Sequence, residues 1–93
     1  MDIASFEADL RAKDFGEIET KKLAAGTHNA EHAHPFEVRA LVLDGQISLM
    51  VSNVARTYMM GDVFTMAEGC RHIEEIGPEG VSYLVGRKRT GAG

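Results

Sequence analysis

The feature of this sequence that most constrains its fold is a series of short apolar runs, separated by turn-forming residues, that fills the chain after Asp14. Asp44-Gly45 lies between two such runs, and Asp-Gly in that setting predicts a two-residue hairpin. Further turns are predicted at Ser52-Asn53, at Gly61-Asp62 and at Gly77-Pro78-Glu79-Gly80. This pattern of strands and tight turns predicts an all-β fold.

The segment before Asp14 has a different pattern. Ile3, Phe6 and Leu10 recur at helical spacing behind Asp2, a residue type that caps the N-terminus of helices. We therefore predict one short amphipathic helix over about residues 3–13, with its apolar face packed on a sheet.

The length of 93 residues leaves room for one hydrophobic core. We predict a single domain over residues 1–93, with barrel strands over about 15–89 and a tail at 90–93 that frays. A core of this size has little stability to spare, so a bound metal or a second copy of the chain would supplement it, and a homodimer is expected. Residues 40–43 are apolar at every position, which predicts that the helix, a second sheet layer or another subunit covers the outer face of that strand.

The charge balance argues against two classes of partner. The chain has 10 Lys and Arg against 14 Asp and Glu, a net charge of -4, and its basic residues are scattered, so no nucleic acid is expected to bind. No apolar stretch approaches the ~20 residues that span a bilayer, and no signal peptide is evident, so we expect no membrane partner and a cytoplasmic location. The single Cys70 is consistent with a reducing compartment.

Three of the four histidines are spaced as metal ligands would be. His32 and His34 are two residues apart in an extended segment, so their side chains point to the same side. His72 follows the turn at Gly61. We interpret His28 as a loop residue.

The segment that contains His32 and His34 resembles the first sequence motif of the cupin family. In that motif a glycine is followed by five residues, then by His-x-His, a glutamate and a second glycine. Gly26, the two histidines and Gly45 are all in register with it, whereas Val38 occupies the position of the glutamate.

The segment that contains His72 resembles the second cupin motif. Gly61, Gly69 and His72 are in register with the glycines and the histidine of that motif, while Ala67 replaces its proline and Ile76 its asparagine. Two motifs that agree in spacing make a stronger signal than either motif alone.

The resemblance covers residues 26–76 and, through the flanking strands, nearly the whole chain. It implies a double-stranded β-helix, or jelly-roll barrel, with the short helix at its N-terminus. It also implies that His32, His34 and His72 hold a divalent metal ion, for which Zn, Fe, Mn and Ni are candidates.

The fourth ligand of the family is missing, because Val38 cannot coordinate a metal. Glu37 is adjacent, but a regular strand would point it away from the side of His34 unless a β-bulge turned it inward. Glu74 lies two residues after His72 and therefore on the same face. We rank Glu74 slightly ahead of Glu37 as a carboxylate near the metal, and an open, water-filled position at least level with both. Glu74 or Glu37 is the candidate general base.

A pocket beside the metal would need apolar walls, for which Val38, Ala40 and Phe64 are the candidates. The principal hypothesis is a metal-binding cupin that acts on or binds a small organic molecule. Whether it is an enzyme stays open. The alternative is a non-catalytic, ligand-binding or sensory cupin domain, which could be metal-free.

Overall fold

The structure is a computed structural model that describes residues 2–89. Met1 and residues 90–93 lie outside this range. The predicted fraying tail is the segment 90–93 and therefore also lies outside it. Within it the chain forms a single helix and six strands: α1 (Ile3–Ala12), β1 (Gly16–Leu23), β2 (His28–His32), β3 (Glu37–Val51), β4 (Val54–Met59), β5 (Val63–Met66) and β6 (His72–Lys88). The predicted all-β class with a short N-terminal helix is confirmed. No helix in this part of the chain is long and apolar enough to cross a membrane.

The two long strands β3 and β6 form the centre of the sheet. They pair antiparallel along most of their length. Strands β1 and β5 flank the half that contains the start of β3 and the end of β6, whereas β2 and β4 flank the other half. Each half is therefore a four-stranded layer, and the long strands pass from one layer to the other.

The passage between the layers lies at Gly45. Between the pairs Gly45–Val81 and Ile47–Ile76, β3 has one residue and β6 has four, so the register shifts. A bulge of this kind bends a strand and increases its twist. The bend lets the two layers face each other around a common core, as in a double-stranded β-helix.

Apolar side chains from both layers fill the space between them. Because side chains alternate along a strand, every second residue of β3 points inward. The buried members of this inner core are Val38, Ala40, Val42, Ile47, Leu49, Phe64, Met66, Ile76, Val81, Tyr83 and Val85. The histidines described below lie at one end of this inner core.

The helix covers the outer face of the layer formed by β1, β6, β3 and β5. Phe6 and Leu10 are fully buried there and belong to a second apolar cluster with Leu41 and Leu84. Residues 40–43 are thus covered on both sides, as predicted, and the covering element on the outer side is the helix.

The ends of the helix are close to the predicted ones. Asp2 is the N-cap, and its side chain accepts a hydrogen bond of 2.7 Å from the backbone N–H of Ser5. The helix ends at Ala12, one residue earlier than predicted. Ile3 departs from the predicted packing of the apolar face, since it is 52% exposed.

Two of the predicted turns are confirmed. Ser52 and Asn53 have positive φ angles of 51° and 67° and join β3 to β4 as a two-residue hairpin. Gly61, with φ 91°, lies in the turn between β4 and β5.

The hairpin predicted at Asp44-Gly45 is wrong, since β3 continues through it. Asp-Gly supplies the positive φ of a hairpin turn, but a bulge uses the same backbone conformation, and Gly45 has φ 71°. The turn predicted at residues 77–80 is likewise an excursion within β6. A side chain at Gly45 would place its Cβ 1.9 Å from the carbonyl oxygen of Gly80, so the two long strands touch at this point.

Candidate metal centre

Two strands of one layer and the segment between β2 and β3 bring the three histidines together. His32 is the last residue of β2 and pairs with His72, the first residue of β6. His34 follows β2, and its carbonyl oxygen accepts a hydrogen bond from the backbone N–H of Gly69. This bond ties the His-x-His segment to the loop that leads into β6.

The imidazoles converge on one point. One ring nitrogen from each of His32, His34 and His72 lies within 4.8 Å of the others. The ring centroids are separated by 4.3 Å for His32 and His72, 4.9 Å for His32 and His34, and 5.3 Å for His34 and His72. Nitrogens on one tetrahedral zinc ion lie about 3.4 Å apart, because each Zn–N bond is about 2.1 Å long, so the rings would have to approach one another by up to about 1.4 Å to hold one ion.

Backbone carbonyls orient two of the rings. The Nδ1–H of His32 donates to the carbonyl of Ala30 at 2.7 Å, and the Nδ1–H of His72 donates to the carbonyl of Cys70 at 3.0 Å. Because a carbonyl only accepts, both rings carry a proton on Nδ1, and in the neutral ring the lone pair is then on Nε2. Metal-binding histidines in proteins are held by the same kind of bond.

The Nε2 atom of His72 has an unusual environment. His72 is 1% exposed, and within the part of the chain that the structure describes its Nε2 is the only buried side-chain nitrogen or oxygen without a hydrogen-bond partner. Oε2 of Glu74 is the nearby carboxylate oxygen, but at 3.5 Å it is too far for a good hydrogen bond. A buried acceptor without a donor is costly, so this nitrogen points to an additional group at the site.

His34 is held by stacking. Its ring is nearly parallel to that of Phe36, with an interplanar angle of 15° and a centroid distance of 4.8 Å. Burial lowers the pKa of His34 below its usual 6.5, and the neighbouring His32 and His72 lower it further, against the opposing effect of Glu74. His34 therefore stays neutral, the form that binds metals, at lower pH than an ordinary histidine.

A cavity of about 430 Å³ adjoins the cluster and lies between the two layers. Val38 and Phe64, two of the predicted wall residues, line it. Ala40, the third predicted wall residue, is fully buried in the inner core and is not among the residues that line the cavity. The lining side chains are Lys21, Leu23, His28, Asn29, Ala30, His32, His34, Phe36, Val38, Phe64, Met66, Glu74, Tyr83, Val85 and Arg87.

The two candidate carboxylates lie in different places. Glu74 is 8% exposed, lines the cavity, and accepts a hydrogen bond of 2.7 Å from the side-chain amide of Asn29. Glu37 begins β3 opposite Lys88 and is not among the residues that line the cavity. Since its neighbour Val38 points inward, the alternation of the strand directs Glu37 outward. Of the two, Glu74 is the carboxylate that the fold brings to the histidines.

The other candidates have structural partners. His28 is not in a loop as predicted but begins β2, where its Nδ1 lies 2.6 Å from the Oε1 of Glu75. Cys70 is half-buried and packs against the inner core, and its carbonyl orients His72.

The sequence analysis did not predict several of the residues that line the cavity. Lys21, Asn29 and Tyr83 line the cavity because β1 and β2 pair with β6, which sets Lys21 opposite Tyr83 and Asn29 opposite Glu74. Burial, with the charge of Glu74 adding to it, raises the pKa of Tyr83 to about 12, so its hydroxyl stays protonated. No local sequence motif identifies these residues, and they can be identified only when the register of the strands is known.

Comparisons with known proteins find relatives by structure alone. No protein-family model matches the chain, and no curated protein does. A protein of unknown function from Rhizobium leguminosarum has a TM-score of 0.72 at 18% identity, with 76% of this chain and 67% of that one covered. An RmlC-like cupin from Shewanella frigidimarina has a TM-score of 0.68 at 19% identity, with 81% and 67% covered.

A third solved structure, described among DMSP lyases, has a TM-score of 0.71 at 16% identity and covers 81% of this chain. The chain spans only 39% of the length of that protein. Likenesses at such low identity concern the fold and do not carry over an activity.

Proposed function

Because the chain has the cupin fold, we propose that it binds a divalent metal ion through His32, His34 and His72 and binds or transforms a small organic molecule in the adjoining cavity. The observation that carries the proposal is the convergence of three ring nitrogens within 4.8 Å of one another. Zn, Fe, Mn and Ni are the candidate ions, since neutral imidazole suits each of them.

The donor set fits such an ion. In their neutral forms His32 and His72 present Nε2 lone pairs, because their Nδ1–H groups are bonded to carbonyls. A bound ion would give the buried Nε2 of His72 the partner that no described residue supplies. This fit favours a metal centre over a metal-free barrel.

The ion would act as a Lewis acid, or as a redox centre if it is iron, manganese or nickel. Val38 leaves the position of the family's glutamate without a ligand, so three protein ligands leave room for a small molecule or water.

Glu74 is the group placed to accept or donate a proton at the site. Its carboxylate is almost fully buried, with one oxygen held by Asn29 and the other facing the histidines. A base fixed in this way can act without reorganising, provided that a reacting atom comes within hydrogen-bond distance of it. We propose Glu74 as the general base if the molecule is turned over.

The first test is metal analysis of the purified protein and of single-residue variants. We expect about one ion per chain, and loss of most of it in His32→Ala and in His72→Ala. His28→Ala is the matched control, because His28 lines the same cavity but is bonded to Glu75 and lies outside the cluster. Stoichiometric metal that persists in both ligand variants would place the site elsewhere.

The second test separates an enzyme from a binding module. A molecule that raises the melting temperature is recovered after incubation with the metal-loaded protein and examined by mass spectrometry. Conversion that is lost in Glu74→Gln while the metal stays bound supports catalysis. Recovery of the intact molecule supports the sensory, ligand-binding alternative.

The homodimer expected from the small size of the chain is also a proposal. Val54 and Met59, at the two ends of the edge strand β4, are each 56% exposed, which leaves apolar surface for a second copy. Light scattering during gel filtration tests it, and a single-chain mass at all concentrations would contradict it. The cytoplasmic location stays a prediction for cell fractionation.

A further inference from the structure

We infer that the organic molecule bound in the cavity carries a carboxylate group and that Lys21 binds it. The inference deepens the proposed function, since it takes the cavity beside the histidines as the ligand site. It goes beyond that function in naming the chemical class of the ligand and the residue that recognises it.

Lys21 is an unusual lysine in this structure. It is half-buried in the cavity wall, and among the described residues no carboxylate and no hydrogen-bond acceptor is paired with its ammonium group. Its neighbour Lys22, on the other face of β1, is exposed to water. Lysine ammonium groups are rarely drawn into a protein without a partner, because removing the charge from water is costly.

The other charged groups of the cavity already have partners. Arg87 donates to the carboxylate of Glu19 at 2.7 Å and to the carbonyl of Glu17 at 3.1 Å. Glu74 accepts from Asn29 and faces the histidines. Lys21 is therefore the cation of the cavity wall that has no partner among the described residues, and the charge of a bound divalent ion would outweigh the single negative charge of Glu74. Both make an anion the favoured occupant.

The remaining wall decides which anion is favoured. Polar groups form the larger part of the exposed lining, but one part of the wall is apolar and suits a short hydrocarbon chain; it consists of Leu23, Val38, Phe64, Met66 and Val85. A phosphate would need several charged or N–H donors, whereas one free ammonium group matches one carboxylate. An aliphatic carboxylate satisfies the charge of Lys21 and fills the apolar part of the cavity as well.

The test uses butanoate as the probe and butanamide as its neutral analogue. The zinc-loaded protein, Lys21→Met and Lys22→Met are titrated with each compound, and binding is followed through the NMR chemical shifts of the 15N-labelled backbone. Methionine keeps the length of the lysine stem, and Lys22→Met removes the same charge from the outer face of the same strand. Melting temperatures establish that each variant is folded.

We expect Lys21→Met to weaken butanoate binding about tenfold, as for loss of a charged hydrogen bond, and Lys22→Met to leave it unchanged. Butanamide should bind the wild-type protein and Lys21→Met equally. Equal butanoate binding by wild type and Lys21→Met would overturn the inference. Inorganic phosphate that binds more tightly than butanoate, and depends on Lys21, would overturn the carboxylate class.

Zinc content is measured before each titration, so that the two proposals can fail separately. If the protein holds no zinc, the metal centre is refuted, and the same titrations of the metal-free protein still test Lys21. If zinc is bound at one ion per chain and Lys21→Met has no effect, only the carboxylate inference is refuted.

Discussion

The three imidazoles of the cluster differ in how each is held. His32 and His72 are oriented through Nδ1–H bonds to carbonyls, whereas His34 is positioned by stacking on Phe36. Stacking restrains the plane of a ring but does not select which nitrogen carries the proton. Burial and the other two imidazoles then keep His34 neutral, so the three residues are suited to one ion for two different physical reasons.

The lowered pKa of His34 predicts how the stability of the metal-free protein depends on pH. The unfolded chain protonates this histidine near its usual pKa of 6.5, while the folded protein does so only at lower pH. As pH falls below that value the unfolded state gains a proton that the folded state lacks, so stability decreases. Above it this effect is absent.

We therefore expect urea unfolding to give a smaller free energy at about pH 5.5 than at about pH 7.5, and His34→Gln to lose part of that difference. Measurements are made in the presence of a chelator, so that metal release does not contribute. An unchanged pH dependence in His34→Gln would show that other groups cause it.

The elements of this fold depend on the contact between β3 and β6. Each long strand belongs to both layers, and the bulge at Gly45 is where β3 changes layer. The backbone of β6 at Gly80 occupies the space that a side chain at Gly45 would need. The two strands can therefore stay paired through the bend only if this residue has no side chain.

From the close contact at the bulge we expect Gly45→Ala to lower the free energy of unfolding much more than Gly61→Ala does. Gly45→Ala should destabilise the protein by about 3 kcal/mol or more, because it adds a clash with backbone to a strained positive φ. Gly61→Ala, which also has a positive φ but no heavy atom within 4 Å of the added Cβ, should cost only about 1–2 kcal/mol. Urea unfolding of both variants measures the difference, and equal losses would contradict the role of the contact at Gly80.

The molecule as a whole has two apolar clusters, one between the layers and one under the helix. The histidines and the cavity lie at one end of the first cluster, and residues of β1, β2 and β6 meet there around open space. A bound ion would connect β2 to β6 and stabilise the end of the barrel that the apolar core does not fill.

We expect zinc to raise the melting temperature through this connection. An excess of free zinc about a hundredfold above its Kd would stabilise the folded state by about 2.7 kcal/mol. For a domain of this size that corresponds to about 10–20 °C. Thermal unfolding followed by circular dichroism, with and without zinc, measures the shift.

The shift should be reversed by a chelator and absent in His72→Ala. A similar rise in His72→Ala would mean that zinc stabilises the protein through another site.

Much of this architecture is determined by local sequence pattern. The spacing of Phe6 and Leu10, the turn at Ser52-Asn53 and the parity of His32 and His34 depend on residues close in the chain, whose geometry follows from the periods of helix and strand. The similarity of spacing to two cupin motifs added His72, which no local pattern joins to the other two.

The tertiary structure decided what depends on pairing between distant strands. Asp44-Gly45 is compatible with a bulge as well as with a turn, because both use a positive φ, and the pairing with β6 on both sides of Gly45 selects the bulge. The register of β1 and β2 against β6 likewise brings Lys21 and Asn29 into the cavity and sets Asn29 beside Glu74. Strand register is chosen by the packing of the whole barrel, because a shift by one residue would move every side chain of a strand to the other face.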